Sequence, residues 1–120
     1  MKKVTIRISR DVDSAIKGMS ERFVKAWRSG KSAGDTVQFE SPAALFRVLS
    51  PKRWELVERL QALGPTTVRG LARALERDVK RVHEDVRTLM RVGLILRTED
   101  GAFHVPYDVI HADFDLRAVA

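Results

Sequence analysis

The chain has 120 residues, no cysteine and a formal net charge of +6, with 44% hydrophobic and 32% charged residues. That length accommodates one domain, or one domain with arms, around a modest core. It excludes disulfides and thiol chemistry, and no apolar run reaches the roughly 18 residues of a membrane span, so a cytoplasmic protein is expected.

The N-terminus, MKKVTIRISR, is basic and then alternates, without the unbroken apolar stretch of a signal peptide. Within 3–9, Val4, Ile6 and Ile8 face one way and Lys3, Thr5 and Arg7 the other, which predicts a half-buried strand. Ser9 or Asp11 offers a cap for a helix. Val12, Ile16, Met19, Phe23 and Trp27 recur at three- and four-residue spacing and predict that helix, amphipathic, over 11–28. Residues 28–36 read as a loop, and 37–40 as a short strand.

Ser41-Pro42 and Ser50-Pro51 each place a capping hydroxyl before a proline at a first helical position. They predict helices over 42–49 and 51–63, the second burying Trp54, Val57, Leu60 and Leu63. Gly64-Pro65 ends that helix. Thr66 caps a third over 67–75, with Val68, Leu71, Ala72 and Leu75 inward. A short turn at 75–77 leads to a fourth helix over 77–92, closed by Gly93. Residues 94–97 and 102–106 flank Asp100-Gly101, a strong hairpin signal. Residues 109–117 alternate again, with Ile110, Ala112, Phe114 and Leu116 on one side.

From residue 51 the order is helix, helix, short turn, helix and hairpin, the outline of a winged helix-turn-helix. The expected fold is mainly α with small β, in three parts. These are a strand-helix dimerisation arm over 1–40, a DNA-binding unit over 41–106 and a tail over 107–120 that joins the arm in a small sheet. The strands' outward Lys3 and Arg7 would meet Asp113 and Asp115 across that sheet. The dimer contact is expected through Ile6, Ile16, Phe23, Trp27 and Phe114.

The basic charge is local. Arg69, Arg73, Arg77, Lys80, Arg81, Arg87, Arg91 and Arg97 face only Glu76, Asp78, Glu84 and Asp85 within 64–97. At about 100° per residue, Val79, Val82, Val86, Leu89 and Met90 cluster on one side of the fourth helix. Arg77, Lys80, Arg81, Glu84, Arg87, Thr88 and Arg91 cluster opposite. A major groove admits one such helix. Arg77, Lys80 and Arg81 are then expected at base edges, and Arg87 and Arg91 at phosphates. Glu84 either accepts from cytosine or pairs with Lys80 four residues back. Thr66, Thr67 and Arg69 open the preceding helix at a natural phosphate site, and Arg97 and His104 flank the hairpin, whose Glu99-Asp100 tip is acidic. A solvated charged face is the simpler alternative for that stripe; the short turn and the hairpin beside it weigh towards DNA.

GPTTVRGLARALERDVKRVHEDVRTLMRVGLILRTEDGAFHVPYDVI resembles a prokaryotic family of winged-helix transcriptional regulators grouped with the multiple-antibiotic-resistance (MarR) type, and FESPAALFRVLSPKRWELVERL resembles its preceding helices. The resemblance implies a winged-helix regulator that binds double-stranded DNA, with some members acting as antitoxins against a protein partner that also repress their own operon; helix-turn-helix proteins commonly dimerise, so a dimeric repressor is expected. Lone His83, His104 and His111 fit no metal-ligand spacing, and no nucleophile constellation or phosphate loop occurs. Neither enzyme activity nor a cofactor is expected.

Overall fold

The structure, a computed structural model, describes residues 2–8, 35–116 and 118. The helix expected over 11–28, with Ile16, Phe23 and Trp27, lies outside them, as does Arg117. The described elements run β1 (Lys3–Ile8), β2 (Asp35–Phe39), α1 (Pro42–Val48), α2 (Pro51–Leu63), α3 (Val68–Leu75), α4 (Val79–Arg91), β3 (Leu96–Arg97), β4 (Phe103–His104) and β5 (Val109–Ala112). This is an α+β arrangement with four described helices, and none of them is long and apolar enough to cross a membrane.

Alternation in β1 does what period two demands: Val4 and Ile6 are buried while Lys3 and Arg7 are exposed. β1 is the central strand of a three-stranded sheet, order β2-β1-β5, and both pairings are parallel. The predicted joining of the two ends of the chain therefore occurs, with Lys3 opposite Val109 and Ile6 opposite Ala112. β2 begins two residues earlier than expected, at Asp35. β5 ends at Ala112, so Asp113 and Asp115 lie past the ladder that was to pair them with Lys3 and Arg7. Lys2 makes the charged link instead, its ammonium 3.9 Å from Asp35 and its backbone N–H donating to Asp108 at 2.8 Å. Ile6, expected at a dimer surface, is in the chain's own core, so it is not available to a second chain. Phe114 is half-buried and edge-on to Phe46, with ring centroids 6.4 Å apart.

One buried cluster runs from the sheet into the helices. Val4, Ile6, Val37 and Phe39 meet Leu45, Leu56, Val57, Leu60, Leu71, Val82, Val86 and Leu89. Within α2, Leu56 takes an inner position and Leu63, expected inside, is 44% exposed at the last turn. Within α4, Val79 is 42% exposed at the first turn, where the helix has not yet crossed the core. Tyr107 joins sheet to helices: it is buried, its carbonyl accepts from Gln61 Nε2 at 3.0 Å, and its hydroxyl reaches the Gly93 carbonyl at 3.5 Å.

Helix ends obey the capping chemistry with two changes: Ser50 starts α2 without a side-chain cap bond, and the cap of α3 moves by one residue. Ser41 accepts from Ala44 N–H at 3.0 Å, and Thr67, not Thr66, caps α3 by accepting from Gly70 N–H at 3.1 Å. Thr66 is instead paired through both backbone groups with Phe103, each bond 2.9 Å, which ties the start of α3 to β4. α4 ends as predicted at Gly93, whose φ of 88° suits glycine. Leu94 N–H returns to the Leu89 carbonyl at 3.1 Å there, and both side chains are buried, the Schellman arrangement. α3 ends in the same pattern with Glu76 in the left-handed position, φ 54°.

Leu89→Ala should lower unfolding free energy by about 2–5 kcal/mol in urea titrations, the cost of a buried cavity, whereas Val79→Ala should stay within about 0.5 kcal/mol. Burial, then the nearby Asp35 carboxylate, pushes the Tyr107 hydroxyl above its usual range. A raised folded value means stability is intact below pH of about 10 and lost as pH climbs through the folded value. Tyr107→Phe should flatten the alkaline end of the stability-pH curve relative to the unmodified chain, measured by thermal unfolding at matched pH.

Candidate nucleic-acid interface

α4 carries valine at Val79, Val82 and Val86, a β-branched residue that costs rotamer freedom in a helix, so packing holds it in place. Val82, Val86 and Leu89 are wholly buried, and Met90 is half-buried beside them. The spacing of those three fixes the helix rotation and turns the opposite side outward. Lys80, Arg81, His83, Glu84, Arg87 and Arg91 are all exposed there, and Thr88 is half-buried with its hydroxyl donating to the Glu84 carbonyl at 3.2 Å. Among the described residues, no ion pair involves Lys80, Arg81, Glu84, Arg87 or Arg91, so the Lys80–Glu84 pair allowed by spacing is not formed. Asp78 caps the helix by accepting from Arg81 N–H at 3.3 Å.

Arg77 departs from expectation. It precedes the cap, off the helix, in the three-residue turn Glu76–Asp78. Its Nη2 lies 2.7 Å from Asp85 Oδ2. Asp85 Oδ1 accepts from Arg53 Nε at 3.0 Å. Arg53 Nη1 donates onward to the Arg47 and Val48 carbonyls at 3.2 and 3.0 Å, the last turn of α1. One carboxylate, 14% exposed, thus links α1, α2, the turn and α4. Arg77 is a positioning residue, and its remaining Nη1 is buried without a protein acceptor.

The other expected contact residues divide similarly. Thr66 spends its backbone on Phe103 and its hydroxyl on the Gly64 carbonyl at 2.8 Å. Thr67 spends its hydroxyl as the cap. Arg69 is exposed on the first turn of α3. In the antiparallel β3–β4 hairpin, Arg97 is exposed, with its guanidinium 5.9 Å from the Phe103 ring centroid, and His104 is half-buried opposite Leu96. At the turn, the Thr98 hydroxyl donates to Asp100 and, with backbone N–H groups, holds that carboxyl below its usual range.

A cleft of about 380 Å³ opens between the start of α2 and the first turns of α4. Ser50, Lys52 and Arg53 at the start of α2, Arg77 in the turn, and Arg81, Glu84 and Asp85 of α4 line it. The α2 residues carry little sequence signal; the only sign of them is Lys52-Arg53 directly after the Ser50-Pro51 helix start. Among the described residues, no group of three or more His, Asp or Glu side chains is placed to hold a metal ion.

Removing Asp85 leaves two arginines facing each other without a counter-ion. Asp85→Ala should destabilise by about 2–3 kcal/mol, less than a wholly buried pair would lose because the site is partly open. Asp85→Asn, which keeps an acceptor, should lose less, and chemical denaturation ranks the two.

Residues 48–112 match the model of the HVO_A0114 family, from the end of α1 through β5, and the chain belongs to that family. No curated protein and no solved structure matches the chain.

Proposed function

We propose that this member of the HVO_A0114 family is a sequence-specific double-stranded DNA-binding regulator of transcription, acting as a dimeric repressor through a winged helix-turn-helix. One observation carries the reading. Lys80, Arg81, Arg87 and Arg91 form an exposed cationic stripe without ion-pair partners among the described residues, on a helix whose opposite side is buried. A solvated surface helix commonly neutralises its cations with neighbouring carboxylates; this one leaves them available to a polyanion. The order α2, α3, three-residue turn, α4, β3–β4 hairpin supports the same reading, as does the pairing of Thr66 with β4, which holds the hairpin beside α3.

In this reading α4 enters the major groove. Lys80 and Arg81, in its first turn, meet base edges; Glu84 accepts from cytosine; Arg87 and Arg91 meet phosphates. Arg69 and the start of α3 sit against the backbone, with Arg97 and His104 on the hairpin flank, while the ionised Asp100 tip stays clear of phosphate. A dimer sets two α4 helices about one duplex turn, roughly 34 Å, apart. A second reading, a protein-binding module of the antitoxin kind, draws on Phe46 and Leu116, exposed by 56% and 74% near the C-terminal tail. The two roles draw on different residues and are compatible.

The test is a mobility-shift titration against duplex DNA from upstream of the gene, at two salt concentrations. Lys80→Ala with Arg81→Ala should weaken specific binding by about 1–3 kcal/mol per base contact. Arg87→Ala should weaken all sequences alike and reduce the salt slope by about 1. Affinity and salt slope that do not change in either variant rule the reading out.

A further inference from the structure

We infer that the cleft between the start of α2 and α4 is a binding site for a phosphate group. The cleft alone supports this, whether or not α4 reads DNA. Asp85 is already saturated, one oxygen on Arg53 and the other on Arg77, so the three together carry one positive charge. Lys52 and Arg81 add two further cations without described ion-pair partners, against Glu84 alone. The cleft is therefore cationic by two charges and contains no carboxylate able to neutralise both.

Its donors are also uncommitted. Ser50 begins α2 without using its hydroxyl as a cap, unlike Ser41, whose hydroxyl accepts from Ala44 at 3.0 Å. Lys52 and Arg81 are exposed and their side chains make no hydrogen bond among the described residues. The Ser50 hydroxyl, the Lys52 ammonium and the Arg81 guanidinium around one polar cleft suit a multiply charged oxyanion better than a single carboxylate. A volume of about 380 Å³ exceeds one phosphate, so the group belongs to a larger body. That body is either the backbone of a duplex or a phosphorylated small molecule such as a nucleotide.

The experiment uses the full-length chain, 15N-labelled, with amide shifts followed by NMR. Inorganic phosphate should move the amides of Ser50, Lys52, Arg53 and residues 77–81 saturably, while chloride at equal ionic strength should not. Lys52 and Arg81 are exposed, so their replacement leaves the core intact. Lys52→Gln or Arg81→Gln should weaken phosphate binding about tenfold, the loss of one charge-assisted contact. A nucleoside monophosphate that binds at least tenfold more tightly than phosphate identifies a small-molecule source. A duplex that competes with phosphate and loses affinity on Lys52→Gln identifies the backbone. Shifts that chloride reproduces, or that survive both substitutions, overturn the inference. Saturable phosphate binding together with no duplex binding would reject the DNA reading and leave the cleft assignment standing.

Discussion

The arrangement depends on three apolar side chains of α4. Val82, Val86 and Leu89 are wholly buried, and together they allow the helix one rotation about its axis. A different rotation would bury charge without partners, at a cost well above that of losing a methyl contact. The exposed cations are thus a consequence of the core. The helix is also closed at both ends by its own chain, with Asp78 at the start and the Gly93 turn at the finish, so its length and its outward stripe are set together.

Asp85 adds orientation to that rotation. Its two oxygens hold Arg53 and Arg77, and Arg53 reaches the last carbonyls of α1. An ion pair in such a half-buried place contributes little net stability, because desolvation offsets most of the Coulomb gain. Its geometry is nonetheless demanding, and it registers the turn before α4 against α2. The same cluster shapes the cleft, where Asp85 is consumed from within and the remaining cations face outward. Exposed charge and ion-paired charge are interleaved on one helix here, adjacent at Glu84 and Asp85.

The sheet supplies the other half of the core. Lys2, Asp108, Tyr107 and Gln61 stitch its edge to α2, so the strand formed by the first residues and the strand near the last belong to the same buried cluster as the helices. Parallel pairing on both sides of β1 is what brings the first and the last described strands together.

Much of this was legible locally. Period two marked β1 and β5, the Ser-Pro pairs marked α1 and α2, and Asp100-Gly101 marked the hairpin, because each is a property of a few neighbouring residues. The inward line of α4 was legible too, apart from Val79, since helical period alone cannot say where along its length a helix leaves the core. Tertiary structure decided what each charge does. Arg77 and Arg81 look equivalent in the sequence, four residues apart in a basic stretch. Only folding joins the first to Asp85, which Arg53 also holds, and leaves the second without an ion-pair partner among the described residues, because Asp85 lies eight residues from Arg77 and 32 from Arg53. Ion pairing depends on distance in space, and no spacing rule along a chain encodes a contact made between separate helices.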